Sequence, residues 1–151
     1  MKISRKLTAN TNLRYIIRAD YDRQVSLEFI HDKPGIKANI SILVIASHKA
    51  KIDLEATAII TSKADNCQTW LSVKVITMDQ ATVCASPNLK ISNNQVQAGH
   101  ALSTIHIGND ELYYLASRGI NEQAARQLII NSLIKNFTES ANGGIDKCYK
   151  L

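Results

Sequence analysis

The sequence predicts a mainly β protein that ends in two α-helices. From residue 14 to residue 96, short apolar or alternating segments follow one another with small polar turns between them. After Ile107 the apolar residues take up helical spacing instead. Aromatic residues make up only 5% of the chain, so the core is expected to be mostly aliphatic.

The first predicted strands are separated by residues that favour turns. Residues 15–17 are apolar, and residues 25–29 alternate strictly, which predicts a strand with one buried and one solvent-facing side. Pro34 and Gly35 then favour a turn, because proline fixes one dihedral angle and glycine permits a positive one. Residues 38–46 are rich in Ile and Val and form the next predicted strand.

The same rhythm continues through the middle of the chain. Strands are predicted over residues 51–60 and 70–76, with a polar break between them. A turn at residues 79–80 precedes two shorter predicted strands, over residues 81–85 and 88–91. This spacing fits a β-sandwich, a β-barrel or a β-solenoid, and the periodicity alone does not choose among these folds.

The two predicted helices have recognisable ends. Asn109 or Asp110 can cap the first helix, and Gly119 is suited to the position just beyond its last turn. The second helix begins at Asn121. Its apolar positions recur at helical spacing: Ala124, Ala125, Leu128, Ile129, Leu133, Ile134 and Phe137.

Charge and cysteine usage restrict the class of protein. The net charge is +5, yet no block of basic residues and no interleaved aromatic residues suggest a nucleic-acid partner. The three cysteines match no zinc or disulfide pattern, which indicates a reducing compartment. The basic first residues lack a following apolar segment, and the longest apolar run, residues 40–46, is too short for a membrane span. We therefore expect a soluble cytoplasmic protein without a membrane partner.

Motifs of the common enzyme classes are missing from the sequence. It contains no Walker A loop, no Gly-x-Ser-x-Gly elbow, no HExxH and no dinucleotide-binding glycines, so an enzyme is not expected. One alternative is a small metal-dependent enzyme that uses His100, His106 and a carboxylate as ligands. His31 and His48 lie in predicted turns, where solvent-facing positions are the simpler interpretation.

A segment of the C-terminal half resembles a known family signature. Residues 87–100 contain P-x-L-x-I and V-x-x-x-H, and residues 110–120 contain D-x-L-x-Y-L-x-S-R-G-I. Together they are similar to the C-terminal signature of the SufB/SufD family of iron–sulfur cluster assembly proteins. Residues 124–126 and the apolar run after them also match the family's following helix.

The resemblance implies a fold and an assembly. It implies a right-handed β-helix, or β-solenoid, over residues 1–107, capped by the two C-terminal helices within residues 108–139. Residues 142–144, Asn-Gly-Gly, indicate a flexible tail over residues 140–151. It also implies docking of the ABC-type ATPase SufC through the helices, and dimers formed through the β-helix. No intrinsic cofactor is expected, but a transient iron–sulfur cluster or iron is.

Candidate cluster ligands follow from the resemblance and from the thiols. His100 falls on the family's histidine, and its neighbours Gly99 and Ala101 make the chain SufD-like. Cys84 lies in an apolar segment and is expected to be buried, whereas Cys67 lies among polar residues and is expected to be exposed and more reactive. For each of the three, a structural role is the alternative interpretation.

Candidate partner-binding residues lie on the two helices: Tyr113, Tyr114, Arg118, Gln123, Arg126, Gln127 and Lys135. Tyr113, Tyr114 and Arg118 have an alternative role in packing the first helix and its C-terminal end. The sequence and the resemblance thus lead to a SufD-like, non-catalytic scaffold subunit, which is expected to form a homodimer. The alternative is a truncated, self-associating β-rich protein without cluster chemistry.

Overall fold

The described part of the chain, residues 1–139 and 147–150 of a computed structural model, consists of strands followed by helices and a last strand. The elements are β1 (Lys2–Leu7), β2 (Thr11–Ala19), β3 (Arg23–His31), β4 (Lys37–Ala46), β5 (Lys51–Ile60), β6 (Gln68–Met78), β7 (Thr82–Ile91), β8 (Gln97–Ile107), α1 (Asn109–Ser117), α2 (Glu122–Glu139) and β9 (Lys147–Lys150).

Successive strands alternate between two parallel sheets. The odd sheet has the order β1-β3-β5-β7, and the even sheet has the order β8-β6-β4-β2-β9. Equivalent residues of successive turns stack in rows, as Leu13, Ile40 and Leu71 do in the even sheet. The result is a β-solenoid of about three turns. The predicted β-solenoid with two C-terminal helices is therefore confirmed.

The main core lies between the two sheets. Alternate residues of strands β1 to β8 point inward, so the apolar half of each alternating segment fills the interior. Tyr15 and Phe29 meet edge to face with ring centroids 5.5 Å apart. Apart from Cys67, the rest of this core is aliphatic, as the low aromatic content predicts.

A second apolar cluster lies outside the even sheet, where α2 covers it. Its buried members are Ile16, Leu43, Ile45, Ile76, Met78, Ile107 and Ile130. Because β4 is buried on both faces here, residues 42–46 read as a continuous apolar run rather than an alternating one.

The corners of the solenoid repeat from turn to turn. His48 and Asp79 both have positive φ, 62° and 58°, and each lies two residues beyond the paired residues Ala46 and Thr77. Asp79 Oδ2 accepts a hydrogen bond from the His48 backbone N–H at 3.0 Å. The carboxylate thus joins two stacked corners.

The strands depart from the sequence prediction at four places. Neither β1 nor β8 was among the strands that the periodicity predicted individually. Residues 81–85 and 88–91, predicted as two strands, form the single strand β7, which runs through Pro87. An edge position accommodates this proline, because its missing N–H can face away from the neighbouring strand. β9 lies within the predicted tail; residues 140–146 and 151 are outside the described residues.

The helix ends agree with the sequence at most positions. Gly119 has φ of 82°, and the Gly119 and Ile120 N–H groups bond to the carbonyls of Ala116 and Leu115, which closes α1. Gly108, rather than Asn109 or Asp110, is the N-cap of α1. Asn121 caps α2 as predicted: its Oδ1 accepts a bond from the Ala124 N–H at 2.9 Å.

The buried face of α2 is rotated slightly from the predicted one. Leu128, predicted to be on the apolar face, is 54% exposed, whereas Ile130 is buried against the even sheet. Neither helix in the described part of the chain combines the length and the apolar character that a membrane-spanning helix requires.

Candidate functional site

The last turn of the solenoid, formed by β7 and β8, is called the open end here. Among the described residues, β7 pairs only with β5, and β8 pairs only with β6, so each has a free edge. Ile91 and Leu102 are 46% and 47% exposed at this end. The open end therefore presents unpaired backbone groups and apolar side chains to solvent.

His100 lies on the free-edge strand β8. It pairs in register with Leu71, which is a member of the interior core. Because side chains alternate along a strand, His100 continues the interior row of the even sheet, but at a position that is exposed. A molecule that stacks on the open end would contact this histidine.

Gly99, next to His100, makes room for an exposed tryptophan. A Cβ atom at Gly99 would lie 2.2 Å from Cζ3 and 2.6 Å from Cε3 of Trp70. Only glycine therefore lets the Trp70 ring lie across β8, where it remains 51% exposed. Sequence reasoning found the glycine but not this contact, which depends on the register of β6 and β8.

The two candidate thiols are placed opposite to expectation. Cys67 is buried, 1% exposed, and its Sγ donates to the Lys33 carbonyl at 3.2 Å. Cys84 is exposed on β7, paired with Asp53 on the outer side of the odd sheet. Cys67 was expected to be exposed because its neighbours are polar, but it sits at an inward corner position. The alternation of β7 places Cys84 outward.

The described residues do not assemble a metal site from this chain alone. No group of three His, Cys, Asp or Glu side chains in residues 1–139 could hold a metal ion together. The set His100, His106 and a carboxylate is therefore not brought together, and neither are His100, Cys67 and Cys84. His106 instead faces Thr77, with Nδ1 at 3.0 Å from the Thr77 hydroxyl.

The α1 surface, defined by Tyr113, Tyr114 and Arg118, is strongly exposed. Tyr113 and Tyr114 are 69% and 61% exposed, and the Arg118 guanidinium lies 5.5 Å from the Tyr114 ring centroid. Exposed tyrosine and arginine are typical of the residues that contribute most to protein interfaces. The stacked pair holds a planar cation and an aromatic ring in one orientation.

Gln123, Gln127 and Lys135 are exposed on α2, as predicted. Gln127 donates to the Asn131 side chain at 2.7 Å, and Lys135 lies 3.8 Å from the Glu139 carboxylate. These contacts stay within one helix, so they leave the side chains accessible to a partner.

Arg126 makes contacts that differ from those of the other residues predicted to bind a partner. Its guanidinium lies 2.6 Å from an Asp79 carboxylate oxygen and 2.8 Å from Glu122. Since Asp79 also accepts the His48 N–H bond, Arg126 ties α2 to two corners of the solenoid. We therefore interpret Arg126 as an anchor of the helix. Asp79 was read from the sequence only as a turn residue.

The anchoring charges influence each other. Burial raises the pKa of Asp79, but the hydrogen bond from His48 and the Arg126 guanidinium together lower it by more. The pKa of Asp79 is therefore below the ordinary value. The hydrogen bond to Glu122 raises the pKa of Arg126; burial opposes this, and Asp79 adds to it. Both groups are thus held in their charged forms.

His31 is a buried residue rather than a turn residue. It is 0% exposed, its Nε2 contacts the Thr69 hydroxyl, and its Nδ1 has no hydrogen-bond partner within the described part of the chain. Burial lowers the pKa of His31. The neutral imidazole is therefore the form that the folded solenoid accommodates.

Comparisons with known proteins point to one family. The family description "SUF system FeS cluster assembly, SufBD core domain" matches residues 4–133. Iron–sulfur cluster assembly protein SufB of Bacillus subtilis strain 168 is 25% identical over 113 residues, which cover 74% of this chain and 24% of that protein. SufBD family proteins of Staphylococcus aureus strains USA300 and NCTC 8325 are 24% identical over the same length. The chain thus spans about a quarter of these relatives.

Proposed function

This chain belongs to the SufBD core family of the SUF iron–sulfur cluster assembly system, and from that premise we propose that it is a SufD-like, non-catalytic scaffold subunit. The observation that carries the proposal is that the family match covers both the open end and most of the helical pair. A scaffold needs surfaces for partners more than it needs a catalytic constellation. The proposed setting is the cytoplasm.

The ATPase-binding surface that we propose is the α1 surface, extended by Gln123, Gln127 and Lys135 of α2. Tyr113, Tyr114, Gln123, Gln127 and Lys135 are all exposed, and Arg118 stacks on Tyr114. The apolar residues of α2 pack on the even sheet, and Arg126 anchors the helix there. An ABC-type ATPase of the SufC class that moved the helices would therefore pull on the solenoid corners.

Co-purification with the SufC-type ATPase of the same organism tests this surface. The variant Tyr114→Ala with Arg118→Ala removes the stacked pair on α1, and we expect about tenfold or greater loss of affinity. Tyr21→Ala with Arg23→Ala is the matched control, since Arg23 lies 3.8 Å from the Tyr21 ring centroid and neither residue belongs to a helix. Equal ATPase binding by the wild type and both variants would contradict docking through α1.

The partner for the open end that we propose is a second SufB/SufD-type subunit, in the simplest case another copy of this chain. The free edges of β7 and β8 and the exposed side chains of Ile91 and Leu102 support this assignment. A second subunit there would also approach His100. The cluster, which is cargo rather than a resident cofactor, would then be held by His100 together with ligands from the partner.

Sedimentation and anaerobic cluster loading test the open end separately. Leu102→Lys places a charge on the free edge, and we expect it to shift a dimer to monomers. His100→Ala should leave the dimer intact but reduce bound iron and sulfide after reconstitution. A wild-type chain that remains monomeric at all accessible concentrations, alone and with a SufB-type subunit, would contradict the dimer.

The second candidate function is a self-associating β-rich protein without cluster chemistry. The observation that favours it is the apolar open end, where Ile91 and Leu102 are exposed beside unpaired strand edges. Dimer formation without ATPase binding, and without iron or sulfide retention, would support this candidate over the scaffold.

A further inference from the structure

The edge strands at the two ends of the solenoid differ in whether another strand pairs with them. In the even sheet, β9 pairs in parallel with β2, opposite the side of β2 that pairs with β4. The register places Ile16 opposite Cys148 and Ile17 opposite Tyr149. β9 therefore occupies the position that the even strand of a preceding solenoid turn would take.

The odd sheet is protected at the same end by charge. β1 carries Lys2 and Lys6, whose side chains are about 70% exposed and pair with Glu28 at 3.5 Å and Asp32 at 3.2 Å. Lysine side chains on an edge strand oppose the docking of a further strand. At the open end, by contrast, Lys90 is the one lysine or arginine on β7 and β8, and neither strand carries an acidic residue.

Two unprotected ends would give the molecule complementary surfaces for unlimited growth. Repeat proteins need terminal caps because stacking of one end on another can continue without closure. Parallel strands at both ends would allow head-to-tail stacking that preserves the direction of every strand. A cap at one end restricts association to the other end.

We propose that β9 is an intramolecular cap that closes the N-terminal end of the solenoid and prevents head-to-tail assembly. The occupant of the β2 edge is this chain's own C-terminal strand. The proposal deepens the proposed function, because a single open end is what a scaffold with a defined dimer requires. The cap itself is independent of ATPase binding and of cluster chemistry.

The test breaks β9 pairing without changing the solenoid. Adjacent N–H groups of a strand point to opposite sides, so Cys148→Pro with Tyr149→Pro necessarily removes a donor on the β2 side. Cys148→Val with Tyr149→Val is the matched control, because valine favours strands. In light scattering, we expect the proline variant to form larger assemblies than the wild type does. The concentration at which assemblies appear should be about tenfold lower for the proline variant. The valine variant should match the wild type.

Adding Leu102→Lys to the proline variant distinguishes head-to-tail growth from other association. We expect it to suppress the large assemblies, since growth would need the open end of the next copy. An unchanged size of the proline variant would overturn the proposal. So would loss of its β circular-dichroism signal, because a cap is dispensable for the fold. These measurements compare each variant with the wild type, so they apply whether the wild type is a monomer or a dimer.

Discussion

The two sheets share one core but differ on their outer faces. Between the sheets, both contribute apolar residues at alternate positions, such as Leu54 in β5 and Val73 in β6. Outside, the odd sheet is mostly polar, with Glu28 and Glu55 partly or fully exposed. The even sheet is covered by α2 over Leu43 and its neighbours.

This difference explains why some strands alternate in sequence and others do not. In a sheet with one solvent-exposed face, polar and apolar residues alternate along each strand, whereas a sheet covered on both faces does not need this alternation. Residues 25–29 of β3 therefore alternate, and residues 42–46 of β4 do not. The outer face of a strand, rather than its intrinsic propensity, determines the pattern.

The largest expected effect comes from placing a charge on the outer face of the even sheet, beneath α2. Leu43→Asp buries a carboxylate at a position that is 0% exposed and surrounded by apolar residues. An unpaired buried charge is strongly unfavourable, so we expect a loss of about 4 kcal/mol or more in the free energy of unfolding. Urea unfolding followed by circular dichroism measures this loss.

The matched change on the odd sheet reverses the polarity at an exposed outer position. Glu55→Leu removes an exposed carboxylate, which accepts a bond from Asn88 at 3.3 Å. We expect a change within about 0.5 kcal/mol. Comparable losses for Leu43→Asp and Glu55→Leu would mean that the outer faces do not differ energetically.

A smaller effect is expected where the even sheet extends beyond α2. Gly99→Ala would bring a Cβ atom to 2.2 Å from the Trp70 ring, so the indole must move. We expect a loss of about 1–3 kcal/mol, as for other overpacked sites. The emission of Trp70, the only tryptophan of the chain, should shift with it.

The double variant Gly99→Ala with Trp70→Ala isolates this contact. Without the ring, alanine at position 99 has no clash, so its cost should largely disappear in the double-mutant cycle. An equal cost of Gly99→Ala in the presence and absence of Trp70 would point to the backbone of β8 instead.

The positions of the strands and helices could be predicted from the sequence more accurately than the spatial arrangement of these elements. Alternation identified β3 and β5, and Asn121 and Gly119 identified helix ends, because these signals are local. The choice of a solenoid over a sandwich required the resemblance, since strand order is set by contacts between distant residues. No composition signal distinguished β9 from a tail.

The candidate site was less predictable for the same reason. The exposure of Cys67 was inferred from its neighbours in sequence, whereas the corner geometry turns it inward. Arg126 resembles other exposed helix residues until Asp79 is brought beside it by the stacking of turns. Local sequence indicates which residue types are present, but the register of the turns determines what each one contacts.

The pH dependence of stability tests the interior of the odd sheet at His31. The pKa of His31 in the folded chain is below its ordinary value of 6.5, so the unfolded chain binds the proton more readily. Stability is therefore fully present above the unfolded pKa and falls as the pH decreases through it toward the folded pKa. Urea midpoints measured between about pH 5 and about pH 7.5 should decrease on the acid side.

His31→Gln removes this titration and should flatten the acid side of the profile. The same substitution at the exposed residue His48 gives the background change for a histidine at a corner. If the His31→Gln profile were as steep as that of the wild type, the acid loss would have to come from other groups.

A small effect is also expected at the anchor that holds α2 over the even sheet. Asp79→Asn keeps an oxygen that can accept the His48 N–H bond but removes the charge that faces Arg126 at 2.6 Å. Because both side chains are partly exposed, we expect a loss of about 0.5–1 kcal/mol that decreases in high salt. Glu122→Gln is the control, since that carboxylate is 68% exposed and contacts the same guanidinium at 2.8 Å. A larger loss for Glu122→Gln would place the helix anchor within α2 itself, and the even sheet would then be covered by apolar packing alone.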